Sequence, residues 1–115
     1  MAIPVNCKAD ICPCREKCPL QSALSRIGGK WKLSIICSLM NDGTTRYGEL
    51  RRKIKGITNT MLANSLRELE ADGLVRRVQY SEVPVRVEYT ATEVCRRLMP
   101  ILEQLTAWET SLITL

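Results

Sequence analysis

From Pro19 onward, apolar residues recur at helical spacing. Leu20, Ala23, Leu24 and Ile27 share one helix face, and Pro19 suits a first helical position because its missing N–H would be unpaired there. Gly28-Gly29 ends that helix. The next segment carries Trp31, Leu33, Ile35, Ile36, Leu39 and Met40. It is apolar around most of its circumference, which predicts a helix at the centre of the core, with Cys37 as packing. Asp42-Gly43 is a turn, and Thr45 is expected to cap a helix with Tyr47, Leu50 and Ile54 inside. Lys55-Gly56-Ile57 is a tight turn with glycine at its centre. Thr58 then caps a helix that buries Leu62, Leu66 and Leu69 and stops at Gly73.

Beyond Gly73 the period shifts toward two. Over residues 74–80 and 85–90, strands are expected, with Val85, Val87 and Tyr89 alternating against Arg86, Glu88 and Thr90. Ser81-Glu82-Val83-Pro84 joins them into a hairpin. Thr92 opens a last helix with Val94, Leu98, Ile101, Leu105, Trp108 and Leu112 on one stripe, widened by Met99 and Leu102. Pro100 should kink that helix or divide it. Cys95, near its start, reads as core, with a distant disulfide as the alternative. The predicted fold is mainly α with a small β-hairpin, a winged helix-turn-helix over residues 18–115. A cysteine-rich segment over residues 1–17 precedes it.

The charge gives this architecture a direction. The 115-residue chain carries a net charge of +5 and has a pI near 9.0. Arg46, Arg51, Arg52, Lys53 and Lys55 cluster around the turn, opposed there only by Glu49. With Leu62, Leu66 and Leu69 inward, the helical wheel places Thr60, Asn64, Arg67 and Ala71 outward. Thr58, Asn59 and Thr60 fall where a recognition helix meets base edges, and Asn and Arg are residues that read adenine and guanine. Thr45 and Arg46 suit phosphate contact at a helix start. Arg76, Arg77 and Arg86 lie on the hairpin, within reach of the DNA backbone or minor groove. The alternative is that these charges are merely solvated. The agreement in register between polar face, turn, caps and basic hairpin favours double-stranded DNA.

The absence of histidine removes Ser-His and Cys-His nucleophile pairs and mixed Cys/His metal sites, so an enzyme is not expected. No apolar run is long enough to span a membrane. The start lacks a basic n-region and an apolar h-region, which predicts a cytoplasmic protein with reduced thiols. Cys7, Cys12, Cys14 and Cys18 form a tight cluster. It is a candidate zinc or iron–sulfur ligand set, although its spacing matches neither paired Cys-x-x-Cys knuckles nor the common ferredoxin runs; otherwise no cofactor is expected. Cys18 precedes Pro19 and so lies at a helix N-cap. The helix dipole, Arg15 and Lys17 favour its thiolate there, and Glu16 opposes it. Redox sensing by Cys18, Cys12, Cys14 and Cys7, in which Cys12, Cys14 or a thiol of a second subunit resolves an oxidised Cys18, stands beside metal binding and inert thiols as a reading.

Several segments together resemble the HxlR-type winged-helix transcriptional regulators of bacteria and archaea. They are Cys18-Pro19, Ile27-Gly28-Gly29-Lys30-Trp31, Arg46-Tyr47-Gly48-Glu49-Leu50, Gly56-Ile57-Thr58, the run from Leu66 to Val75, Val83-Pro84-Val85-Arg86-Val87-Glu88-Tyr89, and Trp108. Tyr47 stands where many relatives carry Phe. The resemblance implies a homodimer on a two-fold operator, paired through its terminal helices. The matching surface is Leu20 and Leu24 with Leu98, Ile101, Leu102, Leu105 and Trp108; an intramolecular core is the alternative for the last stripe. The resemblance also implies oxidant or electrophile sensing at the cysteine matching Cys18. A repressor that responds to an oxidant or small molecule is the expected function. A metal-responsive regulator and a winged-helix protein-interaction module remain as alternatives. A thiol oxidoreductase is disfavoured by the lack of a Cys-x-x-Cys motif.

Overall fold

In the computed structural model, residues 19–113 are described. Their elements run α1 (Pro19–Ile27), α2 (Lys32–Asp42), β1 (Thr45–Arg46), α3 (Tyr47–Lys53), α4 (Asn59–Ala71), β2 (Val75–Tyr80), β3 (Arg86–Ala91), α5 (Glu93–Arg96) and α6 (Met99–Ile113). The strands form one antiparallel sheet in the order β1-β3-β2. This is a winged helix-turn-helix, as the periodicity predicts.

The core lies where α2, α3 and α4 meet the sheet. Ile35, Ile36 and Leu39 of α2 pack with Leu50 of α3, Leu62, Leu66 and Leu69 of α4, and Val75, Tyr89 and Ala91 of the hairpin. Fully burying each Leu or Ile stabilises by roughly 1.5–3 kcal/mol before chain entropy is counted. The turn between α3 and α4 depends on Gly56, whose φ of 87° would strain an L side chain. The Trp31 ring lies directly against it: a Cβ there would sit 3.7 Å from Trp31 Cη2. Ile57 is buried beside it, so the turn is anchored on both flanks.

Thr92 ties the end of the wing to the exit of α4. Its hydroxyl donates to the Gly73 carbonyl at 2.7 Å and accepts from the Cys95 N–H at 3.3 Å. One side chain thus caps α5 and closes the loop after α4. Cys95 is fully buried in the core, as its position predicts. The last helix is divided rather than kinked. It breaks at Arg97–Leu98, and Pro100 falls in the first turn of α6, where its missing N–H removes no helical bond.

Two expectations are corrected. Thr45 does not cap a helix. It lies in β1 opposite Tyr89, is 2% exposed, and donates its hydroxyl to the Gly43 carbonyl at 2.9 Å. Arg46 is the N-cap of α3, and its backbone N–H is received by the Glu49 carboxylate at 3.2 Å. A two-residue strand has no period of its own, so only pairing with β3 defines it. Cys37 is exposed, not packed. The buried stripe of α2 runs through Ile35, Ile36 and Leu39, and Cys37 falls across the helix from it.

Among the described residues, α1 and α6 contain no buried side chain. Leu20, Leu24, Ile101, Leu105 and Trp108 are each about half exposed, with Trp108 at 59%. Leu98 and Leu102 are partly buried. The long stripe of α6 is therefore not an intramolecular core. Among the described residues no helix is long and apolar enough to cross a membrane.

Candidate nucleic-acid interface

The start of α4 is built by its cap. Thr58 has extended backbone angles, and its hydroxyl accepts from the Met61 N–H at 3.1 Å. That bond satisfies one free N–H of the first turn. It leaves Asn59 and Thr60 exposed at the positive end of the helix dipole. Asn64, Arg67 and Ala71 are exposed further along the same helix, while Leu62, Leu66 and Leu69 are buried. The Arg67 guanidinium donates to Asn64 Oδ1 at 3.0 Å, so these two outward residues present themselves as a linked pair.

A contact not legible in the sequence joins α3 to α4. The Tyr47 hydroxyl donates to the main-chain carbonyl of Asn59 at 3.1 Å and lies 3.5 Å from Asn59 Oδ1. The Tyr47 ring packs on Tyr89, with centroids 6.4 Å apart. Residues twelve apart in sequence thereby meet at the front of the helix-turn-helix. Periodicity marked Tyr47 as an inward aromatic but carried no signal for its hydroxyl.

The hairpin separates arginines that the sequence grouped. Arg76 pairs with Thr90 across the ladder, and Arg77 pairs with Tyr89. Adjacent strand residues point to opposite faces, so Arg77 shares the inner face with Tyr89 and Arg76 lies on the outer one. Arg77 lines a cleft of about 480 Å³ with Arg46, Tyr47 and Tyr89. Arg46, exposed at the start of α3, and Arg86 also line that cleft, together with Glu82.

Arg86 is placed differently from the expectation of a free DNA contact. Its guanidinium pairs with Glu82 at 3.0 Å and Glu88 at 3.6 Å, and its side chain is 27% exposed. Two carboxylates already answer this charge, so it braces the hairpin. Lys53 of the basic run pairs with Asp42 at 2.8 Å. Arg51, Arg52 and Lys55 are exposed. Thr45, buried and bonded to Gly43, offers no hydroxyl to a phosphate.

The candidate sensing and metal residues Cys7, Cys12, Cys14 and Cys18 lie outside the described residues. Among the described residues no cluster of three or more His, Cys, Asp or Glu side chains is placed to hold a metal. Burial pushes the Cys95 thiol above its ordinary value, with the Arg96 charge opposing and Cys37 adding to the rise. Cys95 is thus held as a neutral thiol.

Comparison with known proteins agrees with this geometry. A family model described as HxlR-like helix-turn-helix matches residues 26–114. The uncharacterized HTH-type transcriptional regulator YybR of Bacillus subtilis (strain 168) is 48% identical over 101 residues, which span 88% of this chain and 80% of that protein. The crystal structure of the putative HTH-type transcriptional regulator ytcD superposes with a TM-score of 0.79 at 43% identity, covering 84% of this chain and 98% of that one. The redox regulator HypR in its oxidized form superposes with a TM-score of 0.73 at 47% identity, covering 82% and 96%. These relatives are named as transcriptional or redox regulators.

Proposed function

This chain belongs to the HxlR-like helix-turn-helix family of transcriptional regulators, and from that premise we propose that it binds duplex DNA as a homodimer on a two-fold operator and represses transcription there. In this reading the N-terminal half of α4 enters the major groove, with Thr58, Asn59 and Thr60 leading and Asn64 and Arg67 following. Arg46 and Arg77 hold phosphates from the cleft between α3 and the wing. The observation that carries the reading is the outer face of α4, polar and exposed from Asn59 to Arg67, directly behind a capped and anchored turn.

Pairing through α1 and α6 is supported by their exposed apolar stripes, which a monomer leaves in water. A two-fold dimer would present two copies of α4 to half-sites about one DNA turn apart. Thiol control is the second part of the proposal. It is supported by the position of Cys18 immediately before Pro19 and by likeness to a redox regulator. A covalent change at the root of α1 would alter how the two subunits are held, and Cys12, Cys14 or Cys7 would resolve an oxidised Cys18. Zinc bound by the same four thiols is the competing use of the cluster, and native mass spectrometry distinguishes the two by mass.

The test is a titration of a genomic fragment pool with purified protein at low and moderate salt. Binding with a steep salt dependence and a dimer stoichiometry is expected. No binding at low salt would overturn the regulator mechanism. Cys18→Ser should abolish the response of that binding to mild peroxide, and an unchanged response would remove Cys18 from sensing.

A further inference from the structure

The Tyr47 hydroxyl lies at the junction of α3 and the first turn of α4. Asn59 is the first residue of α4 and stands next to the Thr58 cap. The Tyr47 oxygen is 3.1 Å from the Asn59 carbonyl oxygen and 3.5 Å from its side-chain Oδ1. The single phenol proton is shared between two acceptors of that residue, chiefly the nearer backbone carbonyl and more weakly the carboxamide oxygen. The phenol itself is held from behind. Its ring packs on Tyr89, which is 7% exposed and faces Thr45 of β1 on one side and Arg77 of β2 on the other. A rigid path thus runs from the sheet through Tyr89 and Tyr47 to the tip of α4.

Without such a contact the side chain of Asn59 would be free. It is exposed, and a first-turn side chain has no helical neighbour on its N-terminal side to limit its rotamers. A carboxamide reads a base edge only when its amide plane is aligned with that edge, and a freely turning one pays entropy to become so.

We propose that Tyr47 is a specificity-positioning residue: its hydroxyl seats Asn59 and holds the Asn59 carboxamide in the orientation that reads the operator. The inference rests on the DNA-binding reading of α4. Tyr47 need not touch a base to do this. Its contribution is to preference among sequences, not to overall affinity.

Tyr47→Phe removes one oxygen and keeps the ring that packs on Tyr89, so the fold should survive. The experiment measures binding of wild type, Tyr47→Phe, Asn59→Ala and the double variant to the selected operator and to each of its single base-pair changes. Tyr47→Phe is expected to lower discrimination by roughly threefold to tenfold, the scale of one hydrogen bond. The loss should fall at the same base pairs that Asn59→Ala relaxes. In the Asn59→Ala background, Tyr47→Phe should change nothing further. The salt slope should match wild type, and the melting temperature should fall only by the small amount that one solvent-exposed hydrogen bond is worth. A loss confined to the base pairs that Asn59 reads is what a merely structural role would not predict. Wild-type discrimination in Tyr47→Phe would overturn the proposal, and so would losses that add in the double variant. Absence of any DNA binding by the wild-type chain is a different result: it overturns the DNA-binding reading, and the role of Tyr47 with it.

Discussion

The Arg86 guanidinium lies over the ring of Tyr80, 4.1 Å from its centroid, and the two residues face each other across the β2–β3 ladder. Stacking on one side and carboxylates of Glu82 and Glu88 around the edge hold the end of the wing together. A cation over an aromatic face is worth roughly 0.5–1 kcal/mol at such a site. Arg86→Ala should therefore lower stability by about 1 kcal/mol, read as a shift in the denaturation midpoint. Tyr80→Ala should cost a similar amount, and the pair should be non-additive in a double-mutant cycle. Full additivity would mean that the stack carries no energy.

The ladder makes Arg76 and Arg77 unequal. Arg77 lines the same cleft as Arg46, whereas Arg76 lies on the opposite face of the hairpin from Arg77 and does not line that cleft. Arg77→Ala should weaken DNA binding across all sequences and reduce the salt slope by about one unit of phosphate contact. Arg76→Ala should change the slope less. Anisotropy titrations over a salt series measure both, and the reverse ranking would move the DNA to the outer face of the wing.

The cap of α4 can be tested through stability alone, without DNA. Thr58→Ala removes the acceptor of the Met61 N–H and should cost about 1 kcal/mol of stability. Thr58→Ser or Thr58→Asp should restore most of it in urea unfolding. If alanine is neutral, the bond contributes nothing to the fold.

Leu105→Asp places a charge in the exposed stripe of α6, a helix with no buried side chain of its own. The expected product is a folded monomer with intact helical circular dichroism and sharply weaker DNA binding. Leu66→Ala is the contrast: it opens a cavity at a residue 2% exposed and should cost about 2–5 kcal/mol without selectively breaking the dimer. Sedimentation velocity separates the two outcomes. A Leu105→Asp dimer as stable as wild type would rule out this face.

The two described cysteines should react in opposite ways. Cys37 is exposed and Cys95 is buried, with its pKa raised above the ordinary value of 9.0, first by desolvation. In the folded protein, iodoacetamide should label Cys37 first, and Cys95 only on unfolding, as peptide mass spectrometry would show. The linkage has a definite sign. Below the unfolded pKa both states keep the proton, and the full contribution of the buried thiol is present. As pH rises from the unfolded value toward the higher folded one, the unfolded chain loses its proton first and stability falls. Cys95→Val should flatten the part of the alkaline decline that begins near pH 9.0.

Much of the architecture was legible because it is periodic. Leu62, Leu66 and Leu69 repeat as a helix face, and Val87 and Tyr89 repeat as a strand, wherever the rest of the chain lies. Gly56, Thr58 and Thr92 are legible for a different reason: each answers a local backbone need, a positive φ or a free N–H. The outward set Thr60, Asn64 and Arg67 follows from the inward one.

What the sequence by itself determined, then, is what depends on near neighbours: the helix-turn-helix, the hairpin, the polar face of α4 and the apolar faces of α1 and α6. Tertiary structure decided everything that depends on who sits opposite. Thr45 became a buried strand residue because Tyr89 of β3 lies across from it. Arg86 became a brace because the hairpin brings Tyr80 and Glu82 to it. Cys37 faces outward because only one side of α2 meets the core. Tyr47 reaches Asn59 because the turn at Gly56 folds α3 against α4. Pairings of this kind are set by the three-dimensional closure of the chain, and no local period encodes them.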